Sequence, residues 1–328
     1  MRKALFLSLA LAGLSSAAFS AEIKLRVSGH FPAAHTASKG MALLNEELTR
    51  LTKGELRIDY FPDEQLGGSF EGVDQVRTGQ IDIDLNGPEW YGRVVPELEV
   101  LNLPFLATSD KQAYCIMDTG LGQYLSGKME QKDLIVLGWM ANGIRHLTNN
   151  RRPINSLADM KGLKIRTPPS ETYLETFRAL GANATPLDIK ELYQALQQGV
   201  VDGQENPYDN TFARKFFEVQ KYLSNTGHFF SWASIVMNKK SYDRLSTEQK
   251  EILRKAVGHA VTSQREAAAA DNKRALQSLI DKRMQYSELS PQVLAQFREA
   301  VKPIYEKAKV RAGEDAITRA TKAATSCS

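Results

Sequence analysis

Five histidines, two cysteines and a few glycine- or arginine-bearing segments are the residues of this chain whose types could do chemistry. His30, His35, His146, His228 and His259 show no metal-ligand spacing with a cysteine or a second histidine on one helix, so structural or surface roles are expected and no metal. Gly67-Gly68-Ser69 lacks the lysine and spacing of a phosphate loop and reads as a tight turn opening a helix. There is no complete G-x-G-x-x-G, no nucleophile elbow and no H-E-x-x-H. A binding protein without a cofactor is therefore expected. An exported enzyme is the alternative, which turnover of a captured ligand would reveal.

Recognition chemistry has a clearer candidate in Arg166. It ends the strand-like run Leu163-Lys164-Ile165-Arg166, and Pro168-Pro169 stop that run at once. Ligands of open α/β sheets bind beyond the carboxyl ends of strands, so this arginine is placed to face a crevice. A salt bridge to a neighbouring carboxylate is the competing role. A guanidinium meets a carboxylate through two parallel hydrogen bonds, which lysine cannot do.

The elements that must position Arg166 repeat along the chain. Ile23–Ser28 alternates as a strand, a helix runs from about Ser38 to Thr52, and Leu56–Phe61 is a second strand. A helix through Val73 and Val76 ends at Gly79, and Ile81–Leu85 is a third strand. After Leu163–Arg166 comes a helix capped by Ser170. Asp188 caps another, with Glu191 completing a capping box, and Val200–Gly203 is a strand. Thr78-Gly79-Gln80-Ile81-Asp82 and Gln198-Gly199-Val200-Val201-Asp202 match in outline, which favours two α/β lobes built alike. From Ser246 to about Met284 one long helix is expected, lying across both lobes. Ser290-Pro291 starts another helix, which Pro303 bends.

Composition narrows the class. Of 328 residues, 42% are hydrophobic and 24% charged, the balance of an ordinary globular chain. Met1-Arg2-Lys3, the apolar run Ala4–Leu14 and Ala18-Phe19-Ser20 read as a signal peptide, residues 1–20, cleaved near Ser20-Ala21. The apolar run is too short to span a membrane. Removing Arg2 and Lys3 from the 42 basic residues leaves 40 against 38 acidic, a net charge of +2. So small an excess offers no footprint for nucleic acid. Cys115 and Cys327 are too few for a disulfide scaffold. The simpler expectation is a small buried side chain at Cys115 and a loose tail at Cys327, with pairing the alternative.

In order along the chain stand Tyr60-Phe61-Pro62 with Gln65-Leu66-Gly67, Leu103-Pro104-Phe105, Arg152-Pro153-Ile154 through Asp159-Met160-Lys161-Gly162, Lys164-Ile165-Arg166-Thr167-Pro168, and Val201-Asp202-Gly203-Gln204-Glu205-Asn206-Pro207. With these motifs the chain resembles the DctP-type solute receptors of tripartite ATP-independent periplasmic (TRAP) transporters. The resemblance covers essentially the whole mature chain. It implies a two-lobed periplasmic solute-binding fold, with residues 21–143 plus 232–271 in lobe I and 144–231 plus 272–328 in lobe II. The implied product is a periplasmic monomer, not itself membrane-embedded, that delivers an organic acid to membrane permease subunits. A sensory receptor on the same scaffold is a second reading.

The resemblance also carries site residues. Arg166 grips the ligand carboxylate, and Arg145 and Asn206 match a second arginine and an asparagine of the family's site. His30, Ser69, Glu71, Asn86, Glu89 and Trp90, in loops of lobe I, are expected to form the facing wall, with surface turns as the alternative. Trp232, beside Phe230, caps the ligand or fills core. Without ligand, Arg145 and Arg166 are expected to leave positive charge in the cleft. Glu71 and Glu89 in the wall would repel a second ligand carboxylate and welcome hydroxyls. The expected ligand is therefore a hydroxylated monocarboxylate such as a sugar acid (a hexuronate or aldonate), with a C4-dicarboxylate as the alternative.

Overall fold

The computed structural model describes residues 22–328, so the signal peptide expected at 1–20 lies outside the described residues. The first half alternates as β1 (Ile23–Gly29), α1 (Thr36–Leu51), β2 (Leu56–Phe61), α2 (Ser69–Thr78) and β3 (Ile83–Asn86). Next come α3 (Asp110–Ile116), α4 (Gly122–Glu130) and the long β4 (Leu134–Asn149). The second half runs β5 (Lys164–Thr167), α5 (Glu171–Ala179), β6 (Asn183–Pro186), α6 (Ile189–Gln197), β7 (Gly203–Asn206), α7 (Tyr208–Ala213) and β8 (Tyr222–Asn238). The chain closes with α8 (Lys239–Asp243), α9 (Thr247–Asp281), β9 (Gln285–Glu288), α10 (Pro291–Val301), α11 (Pro303–Ala312) and α12 (Glu314–Ser326).

Local chemistry accounts for most of these boundaries. Ser170 caps α5 through the amide of Tyr173, and Ser246 with Gln249 forms a capping box at the start of α9. Asp188 caps α6 through Lys190, at 3.0 Å, in place of the box expected with Glu191. The first helix starts two residues earlier than expected because His35 accepts the amide of Ala37, an unusual cap. The strands expected at Ile81 and Val200 begin later, at Ile83 and Gly203, so Glu205 and Asn206 are strand residues. The repeated aspartates explain the delay. Asp82 Oδ2 accepts the amide of Arg26 at 2.8 Å, and Asp202 Oδ2 accepts that of Lys164 at 2.9 Å, matching positions before β3 and β7.

Among the described residues, nine strands form one mixed sheet, ordered β2-β1-β3-β8-β4-β7-β5-β6, with β9 parallel to the start of β8. Three parallel strands on each side flank two long antiparallel strands. Two lobes result, joined through β4 and β8. At the middle of the sheet Ala141 pairs with Trp232 and Gly143 with Ser231, and the register slips between them. Gly143 has φ 122°, and a Cβ there would stand 2.8 Å from Asn272 Nδ2, so glycine is required at this bulge. The strut α9 packs on α1, β4 and α7, and Gln264 holds both the amide and the carbonyl of Ala141.

Among the described residues, five apolar cores stabilise this frame, three of them large. One joins Leu44, Leu48 and Ile83 to Leu253 and Val257 of α9, and another joins Leu147, Ile165 and Phe177 to Phe297 and Ile304. The third packs Leu98, Leu125 and Trp139 against Ala312, Ala316 and Ile317 of α11 and α12. The C-terminus is therefore no loose tail. Cys327 caps α12 and forms a disulfide with Cys115 of α3, with Cα atoms 5.8 Å apart. This corrects the unpaired expectation: a tertiary contact across 212 residues leaves no trace in local pattern. Among the described residues, no helix is long and apolar enough to cross a membrane.

Candidate functional site

A cavity with about 350 Å³ of empty space, part of it open to solvent, lies where the carboxyl ends of β1, β3, β5 and β7 converge. Eight of the ten expected residues line it: Arg145, Arg166 and Asn206 from one side, and His30, Ser69, Asn86, Glu89 and Trp90 from the other. Two do not. Glu71 is exposed on α2, because the first turn of that helix directs it outward. Trp232 lines a separate apolar pocket with Leu101, Leu103 and Phe230, and so fills core. The cavity also recruits Asn142, Asn210 and Arg214, none of them expected. Asn142 stands three residues before Arg145, the signal that could have found it. Arg214 sits in a basic pair, Arg214-Lys215, with no local sign of burial.

Arg166 is buried at the end of β5, with only 1% of its surface exposed. Its Nε donates to the Leu187 carbonyl at 2.8 Å, while buried Nη2 has no hydrogen-bond partner. Burial pulls its pKa down to about 10, a loss that nearby Glu205 opposes, so it stays charged at neutral pH. An unpaired buried donor of this kind costs about 1–3 kcal/mol until an acceptor arrives.

Arg145 is different. Its Nε donates to Glu205 Oε2 at 2.5 Å and its Nη2 to Oε1 at 2.7 Å, a bidentate pair buried on both sides. Nη2 also reaches the Glu205 carbonyl at 2.7 Å, and Nη1 reaches Ser231 Oγ at 3.2 Å. Burial alone would raise the Glu205 pKa, but Arg145 holds it below the ordinary value. The expected pair of uncompensated arginines is thus corrected: Glu205 balances Arg145, and Arg166 is left.

The opposite wall supplies polar groups of several kinds. His30 Nε2 is 2.8 Å from Asp84 Oδ1, and Tyr91 donates to the other oxygen of Asp84 at 2.6 Å. Burial works against the imidazolium, yet Asp84 and Glu64 outweigh it and push the His30 pKa up to about 9. The ring can sit this close because Gly72 faces it; a Cβ there would be 2.4 Å from Nε2. Glu89 is buried with Oε2 unpartnered, and burial raises its pKa. Asn142 Oδ1 is likewise buried and unpartnered. Asn206 is held by Gln204 and Asn210, at 2.6 and 2.7 Å. Among the contacts that cross the cleft, Asp188 Oδ2 accepts the amide of Ser69 at 3.2 Å, and Arg214 donates to the His30 carbonyl at 2.5 Å.

A charge-lined cavity between two α/β lobes is the architecture of a solute receptor. The chain belongs to the bacterial extracellular solute-binding protein family 7, DctP, whose model matches residues 27–311. It is 36% identical over 245 residues, 75% of this chain and 74% of the relative, to the 2,3-diketo-L-gulonate-binding periplasmic protein YiaO of Escherichia coli. The sugar acid binding protein DctPAm of Advenella mimigardefordensis, in complex with galactonate, superposes with a TM-score of 0.92 at 30% identity, covering 94% of this chain and 99% of that one. A TRAP periplasmic solute-binding protein of Sulfurospirillum deleyianum, with bound succinate, gives 0.87 at 29% identity, covering 92% and 98%.

Proposed function

We propose that this chain is the periplasmic receptor of a TRAP transporter and captures a hydroxylated monocarboxylate, such as an aldonate or hexuronate, for its membrane permease. One observation carries this reading: among the described residues lining the cavity, Arg166 is the guanidinium with a buried, unpartnered nitrogen, and two buried acceptors, Glu89 Oε2 and Asn142 Oδ1, lack donors. A carboxylate satisfies the first and hydroxyl groups satisfy the others. A second carboxylate would meet Glu89. The relatives named for diketogulonate and galactonate support the same class. The relative with succinate supports a C4-dicarboxylate instead, and Glu89 is the feature that favours the first choice.

The lobes divide, in this reading, as 21–143 with 232–271 and 144–231 with 272 onward, while the last helix rides on the first lobe through its disulfide. Ligand touching both lobes makes closure favourable. The protein works as an exported monomer, cut near Ser20-Ala21, and releases its ligand unchanged. Thermal shift and calorimetry on the mature protein with galactonate, galacturonate, diketogulonate and succinate test the assignment. Sugar acids are expected to raise the melting temperature most. Succinate as the strongest binder, or turnover of any bound acid, overturns it.

A further inference from the structure

We infer that Arg214 is a positioning residue for ligand recognition: through Asn210 it holds Asn206, so that both amides keep an N–H for the acid in the cavity. The inference rests on the reading of the cavity as an organic-acid site, and it holds whichever acid is bound.

A line of side chains runs inward from Arg214, each donating to the next. Arg214 Nε donates to Asn210 Oδ1 at 3.2 Å, and Asn210 Nδ2 to Asn206 Oδ1 at 2.7 Å. Asn206 Nδ2 donates to Gln204 Oε1 at 2.6 Å, Gln204 Nε2 to Thr148 Oγ1 at 2.9 Å, and Thr148 Oγ1 to Gln220 Oε1 at 2.9 Å. Gln220 Nε2 ends the line on the carbonyls of Val219 and Asp202. Both ends agree on its direction, because a guanidinium only donates and a carbonyl only accepts. Thr148, Gln204, Asn206, Asn210 and Gln220 are all buried. An amide turned the other way would set like groups against each other with no water between them.

Asn206 and Asn210 line the cavity. Each uses one N–H on its neighbour and keeps a second, while its oxygen already accepts. This wall therefore offers donors to a carboxylate, keto or hydroxyl oxygen, whereas Glu89 Oε2 and Asn142 Oδ1 are acceptors. Arg214 is the outer anchor of the line. It follows Asn210 by one helical turn at the end of α7, and its Nη2 holds the His30 carbonyl across the cleft at 2.5 Å. The guanidinium thus cannot swing away while the lobes meet. Its charge has other partners: Glu64 stands 3.8 Å from Nη1, and Asp63 and Asp188 also offset its burial. Asp188 acts on Arg166 as well. What Arg214 contributes to the ligand is the N–H at Nε, delivered through Asn210, and not a free charge.

Calorimetry on the mature protein, with whichever of galactonate, galacturonate, diketogulonate and succinate binds best, tests this. Arg214→Met removes the donor and should weaken binding about fivefold or more. Arg214→Gln places an amide nitrogen where Nε stood, and it should recover most of that loss although it lacks the charge and is too short to reach the His30 carbonyl. Arg214→Lys keeps the charge, lacks the Nε–H and should bind as weakly as Arg214→Met. In an Asn210→Leu background, Arg214→Met should change affinity by less than about twofold, because the link it acts through is gone. Should Arg214→Met not fold, the order of glutamine above lysine decides. Lysine binding better than glutamine would assign the effect to charge or to the cross-cleft contact and overturn the inference. Additive losses in the double variant, or wild-type affinity in Arg214→Met, would overturn it too, and all three results leave the organic-acid reading intact. A wild type that binds none of the four acids overturns that reading and this one with it.

Discussion

Asp188 accepts the amide of Ser69 through Oδ2 at 3.2 Å while its Oδ1 holds the amide of Lys190 at 3.0 Å. One carboxylate thus caps the first turns of α2 and α6, which belong to opposite lobes. Both helix dipoles favour a negative charge there. The contact exists only when the lobes meet, so it adds to the stability of the closed form without touching ligand. A lost cap costs about 1 kcal/mol, so Asp188→Ala should weaken galactonate binding roughly fivefold by calorimetry. Asp188→Asn, which keeps an acceptor, should lose less. Wild-type affinity in the alanine variant would remove the contact from the closing energy.

Arg166 offers the sharper case. Truncating one member of a buried, charge-assisted pair costs about 2–5 kcal/mol, so Arg166→Ala should reduce affinity by at least tenfold. Arg166→Lys keeps the charge but loses the fork, and it should bind nearly as poorly. Calorimetry showing wild-type affinity in the lysine variant would move the carboxylate elsewhere in the cavity.

His30 links stability to pH. Its pKa rises from 6.5 in a free chain to about 9 in the fold, because Asp84 and Glu64 overcome the effect of burial. A raised folded-state pKa stabilises fully below 6.5, and that contribution drains away as pH climbs through 9. Urea midpoints of the wild type should therefore fall between these limits more than those of His30→Gln. Parallel profiles for the two proteins would mean that the ring does not titrate in this window.

The Cys115–Cys327 bond staples α12 to α3, away from the cavity. Replacing both cysteines with serine should cost about 2–4 kcal/mol of stability. Affinity for galactonate should stay within about twofold, because neither residue meets the ligand or a cross-cleft contact. A melting temperature equal to that of the wild type would show that packing alone holds the last helix.

How far the sequence foretells this structure depends on the range of each interaction. The strands β1 and β2 and the helices α5 and α9 are legible because their periodicity and caps are local. The strands β4 and β8 are not: from Leu134 to Asn149 every residue is buried or half-buried, so no alternation marks the strand. Within the site, Arg166 is visible because it ends a strand just before Pro168. The pairing of Arg145 with Glu205 is hidden, since sixty residues separate them and only the β4–β7 ladder brings them together. Arg145 could thus be placed at the cavity from its motif, while its charge state there could not.

The two long strands at the centre behave as a two-ply leaf spring. They run through both lobes without a break, 16 and 17 residues long, so opening is a flexure of continuous ribbon rather than the swing of a loop. Their three register slips, at Val136/Gly138, Ala141/Gly143 and Arg145/Leu147, are the thin points where such a ribbon gives. The last of these lies at Arg145, a guanidinium that lines the cavity. Flexure of the spring and displacement of that group are therefore geared to one another. A displacement at that group can thus reach both lobes along one strand, with no intermediate part to transmit it.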